Sequence, residues 1–261
     1  MTKTGIPYDA YVRTDILHSL QRPLSDAPGE MSFLMITQIM ELYFKLIAYE
    51  LRSAQESLRA DRVPDAVGAL RRTALHLEGL NASWLGLRWM TPADFNRFRE
   101  LLGEASGLQS SMYRLVEFRL GLKNEALLRP FRHRPQGDGL QRAFAEPSVW
   151  DDAVALLARR GHDLPDKVLD RDFDAEYEPH DAVERAWVEV YRDDSSDLRA
   201  LGEALAEVSE RFGDWRYQHV AAVRRAMGAK PGTGGSNGLG WLERSMARVV
   251  FPELWSARTH M

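Results

Sequence analysis

The stretch Phe33-Leu-Met-Ile-Thr37-Gln38-Ile-Met-Glu41-Leu-Tyr-Phe-Lys45-Leu-Ile-Ala-Tyr-Glu50, continuing to Leu58, decides the fold. Its polar residues Gln38, Glu41 and Lys45 recur at helical spacing, and nearly everything between them is apolar. A helix with so narrow a polar strip is buried on most of its sides. It is predicted to end before Arg62-Val-Pro64-Asp65, and a second helix runs from about Pro64 to Leu85. Val/Ile/Thr-rich alternating runs closed by Asn-Gly turns are missing, so strands are not expected.

Working outward, Thr91-Pro92-Ala93-Asp94 combines a capping threonine, a proline at the first helical position and an aspartate three residues after the cap. The helix it opens is predicted to carry Phe95, Phe98, Arg99 and Leu102 as far as Gly103. Further helices are expected at about 108–122, 148–160, 182–191, 195–227 and 242–250, with a polar connector over 130–139. No stretch has a linker composition and no fixed repeat is visible. The expected architecture is a single all-α domain spanning 1–261, with about nine or ten helices.

Of the 261 residues, 44% are hydrophobic and 28% charged, a globular balance that argues against disorder. Against 34 Lys+Arg stand 38 Asp+Glu, a net charge of −4. Such a chain has no electrostatic reason to coat nucleic acid or an anionic membrane. The lack of cysteine excludes disulfides, thiolate ligation, iron–sulfur clusters and cysteine nucleophiles. The start, Met1-Thr-Lys-Thr-Gly5, runs into Pro7 and Asp9 and is unlike a signal peptide. The most apolar run, Phe33 to Ile36, is far shorter than a membrane span, and a cytoplasmic protein is expected.

Seven histidines are present, and none pairs as H-x-x-x-H or H-E-x-x-H, so a helical zinc site is unsupported. His219 stands apart, because Trp215, His219, Ala222 and Val223 share one helix face. A single histidine on an apolar face with small neighbours is either a core residue bonded to a neighbour or the proximal ligand of a haem. The segment 228–240 has glycine at 228, 232, 234, 235, 238 and 240, flanking Thr233. It is either a flexible connector or a lid whose N–H groups and Thr233 hydroxyl hold a small anion or carboxylate. Phe95 and Arg99 stand four residues apart. They form either a surface arginine over a core ring or a ring-plus-guanidinium seat for an aromatic amino acid. Thr37 interrupts the first helix, where its hydroxyl either bonds the carbonyl one turn back or faces a pocket.

Together these segments resemble the tryptophan 2,3-dioxygenase family. The likeness is carried by Trp215-Arg-Tyr-Gln-His219, Gly232-Thr-Gly-Gly-Ser-Asn-Gly238, Phe251-Pro-Glu-Leu254 and Arg258-Thr259. It extends to Glu30-Met-x-Phe33, Glu41-Leu-x-Phe-Lys45, Thr91-Pro-x-x-Phe95-x-x-Phe98-Arg99 and Ser106-Gly-x-Gln-Ser110. Tyr113-Arg114, Glu117-Phe118, Tyr8-x-x-Tyr11 and Pro23-Leu-Ser-Asp26 complete it.

The resemblance implies a helical homotetramer that binds haem b and uses dioxygen as co-substrate. His219 then matches the proximal ligand and Trp84 a pocket tryptophan near the haem. Arg99 matches the carboxylate-binding arginine, and Phe33 and Phe95 match aromatic-pocket positions. Thr233, with Gly232 and Gly234 beside it, matches the lid threonine over the amino-acid end of the substrate. Tyr8 and Tyr11, within the first 30 residues, match a segment that reaches the neighbouring subunit's site. The implied activity is oxygen insertion into the indole ring of L-tryptophan or a substituted tryptophan. Thr37 stands where the family carries a distal histidine, and Tyr43 where a tryptophan is usual. Threonine accepts a hydrogen bond but is no general base near neutral pH. That departure opens an alternative, monooxygenation to a 2-oxindole-type product. A tyrosine hydroxylase and a non-catalytic haem sensor are more remote.

Overall fold

The computed structural model describes residues 6–228, 230 and 238–261. Thirteen α-helices and five 3-10 turns succeed one another, with no strand among the described residues. Two short helices, α1 (Pro7–Val12) and α2 (Thr14–Leu17), precede α3 (Pro28–Arg59), which contains the whole apolar stretch. Its 32 residues extend about 48 Å at 1.5 Å per residue. Pro28 opens it, and the buried Glu30 in its first turn accepts from Leu24 N (2.6 Å) and Ser25 N (2.8 Å), which docks the incoming chain.

α4 (Val63–Ser83) packs along α3, and α11 (Asp197–Met227) packs along α4. The core lies where Ile47, Leu51 and Leu58 of α3 meet Leu70, Leu77 and Leu80 of α4 and Leu201, Leu205 and Val208 of α11. Two glycines set the spacing of α3 from its neighbour. A Cβ on Gly79 would stand 2.6 Å from the Tyr43 hydroxyl oxygen, and one on Gly86 would stand 2.7 Å from Ile36 Cδ1. Gly86 belongs to a 3-10 turn, Trp84–Leu87, that continues α4.

The remaining helices wrap this trio. α5 (Pro92–Asn96) and α6 (Ser111–Arg119) border the site described below. α7 (Gly137–Ala145) packs on α6, and α8 (Val149–Arg159) packs on α3. Asp152 of α8 accepts from Gln55 Nε2 (2.9 Å) and Arg59 Nε (2.8 Å) of α3. Beyond α9 (Asp166–Leu169) come α10 (Asp181–Arg192), then α11, α12 (Gly238–Met246) and α13 (Pro252–Ala257). Trp150 of α8 stacks between Trp187 (5.8 Å) and Phe251 (5.3 Å), joining α8, α10 and α13. Phe251 holds a left-handed backbone (φ 57°, ψ 58°), a conformation uncommon for a bulky L-residue.

Several expectations are corrected. The helix opened by Thr91 does start at the capping box, but it stops at Asn96. Phe98 takes φ −128°, and a separate 3-10 turn spans Arg99–Leu102. The connector over 130–139 holds part of a 3-10 turn, Glu125–Phe131, and the start of α7. Gly238 and Gly240 belong to α12 rather than to a loop, and α13 had no counterpart in the pattern. By length and composition α3 is apolar enough to cross a membrane, yet here it packs on α4, α6 and α8.

Leu70 is fully buried at the α3–α4 contact, so Leu70→Ala removes methyl groups from the core and leaves a cavity. Urea unfolding should show a loss of about 2–5 kcal/mol with an unchanged slope. Ser148 caps α8, accepting from Asp151 N while Asp151 accepts from Ser148 N. Ser148→Ala should cost about 1 kcal/mol.

Candidate active site

His219 sits in α11 one turn beyond Trp215, and the helix brings both rings against the end of α4. The imidazole stacks on Trp84 (centroids 5.4 Å, planes 22° apart) and lies 5.2 Å from Trp215. Trp215 in turn touches Phe44 of α3 (5.3 Å) and Tyr113 of α6 (4.7 Å). Four elements therefore meet around one histidine. Its ring keeps part of its surface open, but the packing around it is dense. Burial, followed by the nearby Arg114 guanidinium, lowers its pKa to about 4. At neutral pH the ring is uncharged and keeps a free lone pair.

This surrounding fits a haem. No cluster of three or more His, Asp or Glu able to hold a bare metal ion occurs among the described residues. A lone imidazole therefore suits an iron whose other ligands come with a macrocycle. The indole N–H groups of Trp84 and Trp215 are buried without a protein partner, so donors wait beside the ring. His219 and Trp84 are the two residues that the resemblance expects as the proximal ligand and as the tryptophan near the haem.

A second cluster lies further along the same face of α11. Phe33 contacts Phe95 (5.7 Å) and Phe98 (5.5 Å), and Phe95 meets Phe98 edge-on at 5.3 Å. Ala226 and Met227 of α11, with Leu87 of the Trp84–Leu87 turn, pack against these rings. Ala226 is two helical turns beyond His219, about 10 Å along the axis. One helix face and one turn thus tie the imidazole to the phenylalanines.

Thr37 is one turn after Phe33 on α3 and exposed, and its hydroxyl donates to Phe33 O at 2.8 Å. The back-bonded arrangement is therefore present, and the oxygen keeps its lone pairs as acceptors. Ile36, beside it, is the residue seated on Gly86. Arg99 opens its own 3-10 turn directly after Phe98 and is half-buried, so its placement follows from the break in the helix. Lys230 donates to Asn96 Oδ1 (3.3 Å), which brings the chain after α11 to α5. Gly232, Thr233 and Gly234 lie outside the described residues. Tyr8 and Tyr11 on α1 are 66% and 89% exposed, so the chain's own fold does not bury them.

Sequence reading passed over Trp215 as a site residue, although its place four residues before His219 was a usable signal. It also gave no role to Arg114 and Tyr113, because their value depends on a contact between α6 and α11.

A family model described as tryptophan 2,3-dioxygenase matches residues 1–142 and 127–261. The chain is 41% identical over 260 residues to a tryptophan 2,3-dioxygenase of Polaromonas naphthalenivorans, covering 98% of this chain and 92% of the relative. It is 41% identical over 257 residues to one from Caulobacter vibrioides (97% and 98%). A Geobacillus thermodenitrificans protein of the same name is 40% identical over 257 residues (97% and 92%).

The depressed pKa of His219 has a stability consequence in the haem-free protein. The unfolded chain binds a proton near pH 6.5, whereas the folded ring stays neutral until about pH 4. Stability from this group is complete above pH 6.5 and is lost as the pH falls toward 4. By pH 5 the loss is up to about 2 kcal/mol. Urea midpoints at pH 7 and pH 5 should converge more in His219→Gln than in wild type; equal acid sensitivity would contradict the neutral buried ring.

Proposed function

The chain belongs to the tryptophan 2,3-dioxygenase family, and from that membership we propose a haem-dependent oxygenase acting on the indole ring of L-tryptophan or a substituted tryptophan. It is an oxidoreductase. The reading rests on one observation. A neutral, unprotonated imidazole and a three-phenylalanine cluster are joined by one face of α11 and by the turn that carries Trp84.

When bound at His219 and against Trp84, haem b supplies the activation of dioxygen. The protein's own part is placement. Phe33 and Phe95 hold the aromatic ring, and Arg99 pairs bidentately with the α-carboxylate. Thr37, its proton committed to Phe33 O, accepts the indole N–H. Thr233, with Gly232 and Gly234, holds the amino-acid end. No side chain at the Thr37 position titrates near neutral pH, so orientation and exclusion of water carry the protein's contribution.

A second reading is insertion of one oxygen atom to give a 2-oxindole-type product, the other oxygen leaving as water with two electrons from a reductant in solution and two protons from solvent. The Thr37 hydroxyl, which already donates to Phe33 O, serves there as an acceptor only.

Oligomerisation belongs to the same proposal. Met31, Met35, Ile39, Leu42, Leu46 and Tyr49 form an exposed apolar stripe on the side of α3 opposite Phe33 and Thr37. That stripe, with Tyr8 and Tyr11, supports a homotetramer, which sedimentation equilibrium would read directly.

Reduced, haem-loaded protein given L-tryptophan under labelled dioxygen should yield product carrying two labels for ring opening, or one for monooxygenation. Haem bound without any turnover of indole amino acids would overturn the enzyme reading. His219→Ala should lose stable haem uptake. Arg99→Ala should raise KM for tryptophan by about tenfold or more, as loss of a charge-assisted pair implies.

A further inference from the structure

Tyr113, Arg114 and Glu117 lie on α6, and Arg216 lies on α11 one turn before His219. Arg114, Glu117 and Arg216 are 1%, 3% and 5% exposed. Arg114 pairs with Glu117, and Glu117 also accepts from the Tyr113 hydroxyl. Arg216 donates to Arg248 O (2.7 Å) and to Ser245 Oγ (3.2 Å), both uncharged acceptors. The Nε of Arg114 and that of Arg216 have no partner. Arg248, further out, has its own carboxylate, Glu176, at 2.8 Å. Two buried guanidiniums therefore face one buried carboxylate, and the interior keeps a surplus positive charge.

That surplus lies against the histidine's aromatic shell. The Arg114 guanidinium covers the Tyr113 ring at 4.6 Å, Tyr113 packs on Trp215 at 4.7 Å, and Trp215 packs on His219 at 5.2 Å. A fixed positive charge in a dry interior acts over such distances with little screening. It disfavours the more positive state of any metal centre nearby.

We propose that Arg114, Glu117 and Arg216 are positioning residues that set the charge behind His219 and hold a haem iron bound there in its ferrous form. The proposal rests on the reading of His219 as the haem ligand. It concerns the one-electron ferric–ferrous couple, whose electron comes from the mediator or reductant in solution. Ferrous iron is the state that takes up dioxygen, so the cluster would protect the enzyme against idle oxidation.

Counting charges makes the test signed. Wild type carries a surplus of one, Arg114→Gln none, Glu117→Gln two, and the double variant one again. Spectroelectrochemical titration of the haem-loaded proteins should show the ferric-to-ferrous ratio at fixed potential rising about tenfold in Arg114→Gln, a drop of about 59 mV. Glu117→Gln should move the ratio the opposite way, and the double variant should return close to wild type. Arg114→Lys should keep the wild-type potential. If Arg114→Gln does not retain haem, Arg216→Gln carries the same sign. Arginine-to-glutamine and Glu117→Gln variants that shift in the same direction, or do not shift, overturn the cluster's role while leaving the oxygenase reading in place. A wild-type protein that takes up no haem overturns both.

Discussion

The close approach of α3 to α4 is the constraint on which the rest depends. Gly79 beneath Tyr43 and Gly86 beneath Ile36 let the two elements meet without an intervening side chain. That contact fixes where Trp84 emerges from the end of α4. The packing of α11 along α4 then sets His219 against Trp84. On the other side, Phe33 and Thr37 inherit their positions from the register of α3. A single added methyl at either glycine would push on atoms already in contact, and both halves of the site would feel it.

Around His219 the protein separates dry surface from charge. The faces of Trp84 and Trp215 pack on the imidazole, with Phe44 behind Trp215, while the ionised groups collect on the far side of Tyr113. Buried charges are costly unless paired and hydrogen-bonded. Here Arg114 pairs with Glu117, and Arg216 is held by a carbonyl and a hydroxyl at the end of α12. α12 and the second half of α11 are thereby locked together through groups that also shape the field at the histidine.

Much of this was legible in the residues. The narrow polar strip of Gln38, Glu41 and Lys45 identified α3 as central, and Thr91 with Asp94 announced the start of α5 to the residue. The shared face of Trp215 and His219 foretold their contact. The stop after Asn96 was not legible, because Phe98 turns aside to reach Phe33 and no local propensity encodes that distant contact. α13 was hidden for a similar reason. Its start needs a left-handed Phe251, held by Trp150 from another part of the chain. The charge surplus around Arg114 could not be read at all before α6 and α11 were placed side by side. The apolar outer side of α3 looked buried from its composition, and within one chain it is open.

α5 has five residues and the turn after it four, each too short to persist on its own. Their order comes from one capping box and three phenyl rings, not from a run of backbone hydrogen bonds. Amides there should exchange with deuterium through small local openings, while those of α3, α4 and α11 wait for the whole molecule to unfold. The aromatic seat is thus less cooperative than the long helices that carry it. An aromatic amino acid settling among Phe33, Phe95 and Arg99 would act as the missing part of a miniature core, and recognition would be read out as slowed exchange across 92–102.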